Sequence, residues 1–246
     1  MAAMPERYHL GRVAALFQHP VKSMAGTARD SVELDWHGVV GDRRLAFRRI
    51  GVRSNFPWLS ASGMADLLRY RPISVDESGT GVEATHVMTP SGECLEIWSD
   101  ALRDELSERF GAPLELMHLR SGIFDEAGIS MISKATIEAL ERETGLVLDI
   151  RRFRPNVVID PVVDVAFGED DWVGRSIEFG AEGPSVSVTM RDIRCSMIGL
   201  DPDTSEADPS ILKAAVRLNA NTAGIYGTVT RTGSISIGDD VFVVGE

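Results

Sequence analysis

The sequence predicts a mainly β protein with a few helices, built from barrels. Two observations carry this. Most of the 246 residues fall into short apolar or alternating runs separated by turn residues, and convincing helix patterns are few. Many short strands with few helices favour closed or stacked sheets over a doubly wound parallel sheet. A third observation agrees: no Gly-rich nucleotide fingerprint stands at a strand–helix junction.

The elements follow in chain order. Residues 10–17 are a mixed apolar run closed by His19-Pro20, and residues 32–36 alternate apolar and polar as a half-buried strand does. Residues 45–47 and 73–75 are weaker strand signals, with a short helix between them at 63–68. Residues 92–98 alternate again. Residues 99–110 read as a helix, with Ser99 as N-cap, Leu102, Leu106 and Phe110 on one face and Gly111 as the stop. A second helix starts at Ser133 and ends at Gly145. Residues 157–159 form a continuous apolar strand, and 185–190 alternate through Val186, Val188 and Met190. Asp208-Pro209 is a cap followed by a first-turn proline, for a helix running to about residue 219. Residues 228–230 and 235–237 flank a turn at Thr232-Gly233, and 241–244 follow Gly238-Asp239-Asp240. The best boundary lies near 111–121. It divides the chain into an N-terminal β-barrel domain, 1–120, and a C-terminal domain, 121–246.

Composition excludes several classes. Hydrophobic residues at 43% and charged residues at 25% are those of an ordinary globular protein. No apolar run approaches a membrane span. The N-terminus carries no signal-peptide pattern, so the expected location is cytoplasmic. A net charge of −12 argues against nucleic acid as a partner. Two cysteines, Cys94 and Cys195, cannot build a disulfide framework or, alone, hold an iron–sulfur cluster. The five histidines lack zinc-ligand spacing. Lys22, Lys134 and Lys213 are the only lysines, so the positive charge is almost all arginine, a residue suited to gripping phosphate and carboxylate.

Few residues carry chemistry. Cys195, in Asp192-Ile193-Arg194-Cys195, is a thiol beside arginines, which favour a thiolate able to ligate a metal or carry sulfur. The competing reading is a small buried hydrophobe, the expectation for Cys94. Lys22 and Ser23 after Pro20 aim at an anion, or Lys22 is a solvated loop lysine. Arg43 in Gly41-Asp42-Arg43 faces a ligand or a local ion pair. Arg154-Pro155-Asn156 is sharper. Proline is expected to hold Arg154 extended, so that Arg154 and Asn156 project together as a guanidinium fork and an amide. The alternative is an arginine paired to Glu169 or Asp170. Asp125 either bonds a ligand amino group or is a loop aspartate. Glu169-Asp170-Asp171 reads as a solvated turn before Trp172.

In combination the motifs carry a resemblance. Pro20-Val21-Lys22-Ser23, Gly41-Asp42-Arg43, Arg152-Phe153-Arg154-Pro155-Asn156, Glu169–Trp172, Arg194-Cys195, Asp201-Pro202-Asp203-Thr204, Gly224-Ile225-Tyr226-Gly227 and Gly238-Asp239 occur in this order. The chain resembles the MOSC-domain family with its N-terminal β-barrel extension. That family is named for the C-terminal domain of molybdenum cofactor sulfurase and includes the mitochondrial amidoxime-reducing component. His19 and Arg44 depart from it, standing where relatives often carry aromatic residues. The resemblance implies binding of the molybdenum cofactor, a phosphorylated pterin dithiolene. Cys195 matches the molybdenum ligand of the reductase members. Lys22, Ser23, Arg43, Asp125, Arg154, Asn156 and Arg194 match residues that hold the pterin and its phosphate. It also implies an oxidoreductase that reduces N-hydroxylated or N-oxide-type small molecules by oxygen-atom transfer. With no fused ferredoxin, electrons must come from a separate protein of ferredoxin or flavin-reductase type. The alternative is a cofactor carrier, or a sulfur carrier holding a persulfide on Cys195. A third reading, a pocket for pyridoxal phosphate with Lys22 as Schiff-base lysine, is disfavoured, because lysines in proline-terminated loops are seldom buried enough to lose their proton.

Overall fold

A sheet with one apolar face must be covered or must close on itself, and most of this chain's strands take the second course. The computed structural model describes residues 6–75 and 83–245; residues 1–5, on which the reading of the N-terminus partly rests, lie outside them. The strands in chain order are β1 (Arg7–Gln18), β2 (Thr27–Arg29), β3 (Ser31–Asp35), β4 (Gly38–Val39), β5 (Leu45–Arg49), β6 (Arg71–Ile73), β7 (His86–Met88), β8 (Cys94–Glu96), β9 (Leu114–His118), β10 (Ile129–Ser133), β11 (Val157–Pro161), β12 (Ser176–Phe179), β13 (Ser185–Ile193), β14 (Thr222–Arg231), β15 (Gly233–Ser236) and β16 (Asp240–Val244). The helices are α1 (Asp100–Phe110), α2 (Lys134–Thr144) and α3 (Pro209–Asn219). Among the described residues, no helix is long and apolar enough to cross a membrane.

Seven strands, in the order β11-β10-β14-β13-β12-β16-β1, close into a barrel through a final β1–β11 pairing. Strand β1 therefore belongs to the same barrel as strands more than a hundred residues downstream. It pairs with β16 on one side and β11 on the other, and a register shift in each ladder bends it around the barrel. Val13 and Leu16 of β1, Val157 and Ile159 of β11, Val186 and Val188 of β13 and Val241 and Val243 of β16 fill one buried core. Along β11, β13 and β16 these residues alternate with the period of two that a half-buried strand requires, and on β1 the register shift spaces Val13 and Leu16 by three.

Helices α2 and α3 cover the outside of the barrel in a second core that includes Ile137, Leu140, Ile211 and Val158. Their ends follow the sequence signals. Ser133 accepts from the Ala135 amide, Asp208 accepts from the Ser210 amide, and Gly145 closes α2 in the left-handed conformation. A third core lies apart from the barrel, where α1 packs Leu102 and Leu106 against β5, β9 and the β6-β7-β8 sheet through Phe47, Leu114 and Val87.

Three local expectations change. Strand β15 pairs with β3, Gly233 opposite Leu34, rather than folding back on β14. The chain turns at Gly233, whose φ of +147° few side chains accept, and Ile235 is then buried against Val32 and Leu34. Cys94 is exposed, because β8 is the edge of its small sheet. Glu169 is fully buried rather than solvated. It accepts from the Ser133 amide and the Thr136 hydroxyl, which tie the 168–172 turn to the start of α2.

Candidate functional site

Loops from both halves of the chain meet over one end of the barrel. The meeting is fixed at Gly38, where φ is +111° and an added Cβ would lie 1.8 Å from the Gly128 carbonyl oxygen. The two backbones touch there, so the loop after β4 runs beside the segment leading into β10. The Phe124 amide donates to the Arg43 carbonyl at 2.8 Å. A cavity of about 770 Å³ opens between them, lined by Lys22, Ser23, Arg43, Asp125, Arg154, Arg194 and Cys195 among others. Seven of the eight residues singled out in the sequence thus face one space. Asn156 does not.

Arg43 is wholly committed. Its Nη1 donates to Asp42 at 2.6 Å and to Asn156 Oδ1 at 3.1 Å, its Nη2 donates to the Arg154 carbonyl at 2.7 Å, and its Nε pairs with Asp125 at 2.7 Å. Asn156, fully buried, also accepts from the Ser130 amide and donates to the Phe17 carbonyl. It is a strut behind Arg43, with no surface to offer a guest. Burial alone would push Asp125 upward, but Arg43 and Lys22 outweigh it and hold the carboxyl below its ordinary range.

Arg154 differs from expectation in its backbone and agrees in its exposure to the cavity. It is not extended. It ends the turn at 150–153 in the left-handed region, φ 50°, its amide bonded to the Arg151 carbonyl. The contacts of its side chain and carbonyl offset the local strain. Nη1 donates to the Met24 carbonyl at 2.5 Å. Nη2 is buried without a hydrogen-bond partner, and among the described residues no carboxylate pairs with the guanidinium, so the pairing with Glu169 or Asp170 is absent. Burial, and then the charge of Arg43, depress Arg154 to about 10. A buried cation with a free donor is costly unless something anionic meets it.

The other polar groups have defined posts. Lys22 Nζ donates to the Phe124 carbonyl at 2.7 Å, and burial lowers its proton affinity. Ser23 is buried beside Met197 with φ 65°. Arg194 sends Nε to the Ala223 carbonyl at 2.6 Å and Nη1 to the Phe153 carbonyl at 2.8 Å, and its Nη2 pairs with the buried Asp192 carboxylate at 3.0 Å. Gly224 makes room for it, since a Cβ there would lie 3.0 Å from Arg194 Nη2. Arg191 turns outward to Asp170 at 3.4 Å. Cys195 is exposed, its sulfur 4.0 Å from the Ser62 hydroxyl. Among the described residues no cluster of three or more His, Cys, Asp or Glu could hold a metal, so a metal at Cys195 must bring its other ligands with it.

Among the cavity residues not singled out as ligands in the sequence are Tyr226 and Asp192. Tyr226 donates to Asp125 at 3.3 Å. Asp192 is buried near Arg194, and burial raises its carboxyl to about 6. Both sat inside quoted motifs, but nothing local told which face of strand they would take.

A closed seven-strand barrel, with a cavity lined by cations and carboxylates and an exposed thiol at one end, defines the class: a barrel protein with a polar cavity over one end. Comparison with known proteins makes it specific. Residues 97–242 match the model of the MOSC domain, and the chain belongs to that family. The family is associated with molybdenum cofactor binding. The matched region leaves out β1, which nonetheless closes the barrel. Among solved structures, the YUAD protein from Bacillus subtilis is similar at 15% identity and a TM-score of 0.53, covering 99% of this chain and 100% of its own. YiiM from Escherichia coli matches at 11% identity and a TM-score of 0.43, over 98% of this chain and 71% of its own. YiiM from Geobacillus stearothermophilus matches at 20% identity and a TM-score of 0.37, over 48% and 54%. No sequence match is found among curated proteins.

Proposed function

We propose that this chain is a molybdenum-cofactor-binding oxidoreductase that reduces N-hydroxylated or N-oxide-type small molecules by oxygen-atom transfer. Electrons would come from a separate ferredoxin- or flavin-reductase-type protein. The observation that carries the reading is the pairing of Arg154's free, buried Nη2 with an exposed thiol in one cavity.

The residues suit the cofactor's chemistry. Its phosphate is the anion that Arg154 lacks, and Lys22 and Ser23 line the same cavity. As a thiolate, Cys195 is one soft ligand, fitting a metal whose remaining ligands are dithiolene sulfurs. Arg43, Asn156, Asp125 and Arg194 serve as the frame. They fix Arg154's carbonyl, the 124–126 loop and the turn under the thiol. When bound, the cofactor supplies the two-electron oxygen-atom chemistry, and the protein supplies orientation and charge. For an N-hydroxylated amine the balance is one substrate, two electrons and two protons giving the amine and water.

A carrier role is the second reading, and the exposure of Cys195 favours it, since a macromolecular partner could reach that sulfur. The test is a Cys195→Ala variant assayed with an artificial donor and an amidoxime. The expected result is an unchanged melting temperature with turnover lost. Undiminished turnover would end the reductase reading. A one-sulfur mass adduct on Cys195 without molybdenum would favour the carrier.

A further inference from the structure

We propose that Phe56, Met190 and Ile193 form an apolar collar on the cavity that selects substrates carrying their N-hydroxyl group on a flat apolar body, an aryl group, over small polar ones. The inference rests on the reductase reading and deepens it, by naming a substrate class and the side chains that choose it.

The large apolar side chains of the cavity wall divide into two sets. Phe153 and Ile198 belong to the core beneath it. Phe56, Met190 and Ile193 stand in water, at 50%, 39% and 74% exposure. A single apolar side chain on a surface is ordinary. These three come from two separate segments, the loop after β5 and the end of β13, and line one concave space together with the exposed thiol of Cys195. Apolar surface gathered in such a hollow marks a place that receives an apolar group.

The fold holds each of the three in place. Arg49 clamps the backbone around Phe56: Nη2 donates to the Phe56 carbonyl at 2.7 Å and Nε to the Pro57 carbonyl at 3.3 Å, while the Ser54 hydroxyl accepts from the Phe56 amide at 3.3 Å. Lys22 Nζ lies 5.5 Å from the centre of the Phe56 ring, which ties the ring to the charged floor. A ring on a fixed backbone loses little freedom when a guest stacks on it. On β13, register shifts between Val188 and Met190 and between Arg191 and Ile193 break the alternation. Val186 and Val188 fill the barrel core; beyond the shifts Met190 and Ile193 come to the surface, Ile193 two residues before Cys195. A substrate whose N–O bond is broken beside that sulfur therefore lays its body against apolar surface. An aryl body suits it, because its face stacks on phenylalanine and its edge meets the methionine sulfur. The wall's carboxylates do not make this choice. Asp125 is paired with Arg43, and Glu126 is exposed, so an aryl and an alkyl amidoxime meet the same charge.

The experiment compares benzamidoxime with acetamidoxime in wild type, Phe56→Ser, Ile193→Ser and Phe56→Trp, each loaded with cofactor and supplied with a reduced viologen dye. Either substrate takes two electrons and two protons, its N–O bond breaks, and amidine and water leave. Wild-type kcat/KM should favour benzamidoxime by about 10-fold or more. Each serine variant should lower that ratio by about 5–10-fold, with the loss in KM, as expected of a contact made equally before and during the reaction. Phe56→Trp should keep the ratio. A second readout needs no turnover: in calorimetric titrations of loaded, oxidised protein, benzamidine should bind about 10-fold more weakly to the serine variants than to wild type, against acetamidine as a probe of equal charge. A wild-type ratio near one would overturn the collar and leave the reductase reading standing, as would serine variants with the wild-type ratio. Serine variants that lose molybdenum would overturn it too, by giving these side chains to the cofactor. So would variants that match wild type with the dye but slow with reduced ferredoxin, by giving them to the electron donor. Molybdenum-loaded wild type that reduces neither amidoxime would end the reductase reading, and the collar with it.

Discussion

Arg154→Met should make the cofactor-free protein more stable while weakening its hold on the cofactor. The charged guanidinium is buried with no carboxylate beside it, and its depression to about 10 measures that burden. At about 1.4 kcal/mol for each tenfold change in acidity, the penalty is on the order of 3 kcal/mol. Methionine removes it and keeps most of the volume. It also loses the donor to the Met24 carbonyl, at about 1–2 kcal/mol. The net gain is about 1–2 kcal/mol, in line with buried ions replaced by apolar groups. In a thermal melt of cofactor-free protein this is a rise of about 2–8 °C, at about 2–4 °C per kcal/mol for a chain of this size. Added cofactor should then raise the melting temperature of wild type more than that of the variant. A variant that melts well below wild type would refute the reasoning, because it would mean the guanidinium is satisfied within the protein.

The neighbouring arginine predicts the opposite sign. Arg43→Ala strands Asp42, Asp125 and Asn156, all of which Arg43 now bonds, and should cost about 3–5 kcal/mol in urea unfolding; a loss under about 1 kcal/mol would contradict the frame assigned to it. Stability should also carry the signature of Asp192. An acid raised to about 6 in the fold, against about 3.9 unfolded, contributes stability that is fully present below about pH 4 and lost as pH rises through about 6. Asp125, depressed in the fold, runs the other way and loses its contribution as pH falls below the ordinary carboxylate range. The difference in unfolding free energy between Asp192→Asn and wild type should therefore grow by about 2–3 kcal/mol from pH 4 to pH 7.5. A difference flat in pH would rule this out.

Much of the fold was legible where local rules act alone. Ser99, Ser133 and Asp208 capped the three helices at the positions their side chains dictate, because a cap needs only a near oxygen and a free amide. Alternation marked β3 and β13. It could not mark β10, where Ile129, Ser130, Met131, Ile132 and Ser133 are all buried, since covering both faces of a strand erases the period. The partner of β15 was equally hidden: Gly233 tells that the chain turns, while β3 lies two hundred residues back.

The site was legible in membership and partly misread in role. Motifs from distant segments named seven residues of one cavity. Local spacing placed Asn156 beside Arg154 as a second donor, but the left-handed turn at Arg154 sends the amide into the frame behind Arg43. Asp192 and Tyr226 escaped because only the barrel's curvature decides which strand residues face the cavity.

The most direct measurement is metal analysis of freshly isolated protein, wild type beside Cys195→Ala. The account predicts molybdenum near one atom per chain in wild type, with the pterin phosphate present, and loss of amidoxime reduction in a variant that still folds. Wild-type protein that cannot be loaded with molybdenum, or a variant that reduces amidoximes as fast as its parent, would contradict it.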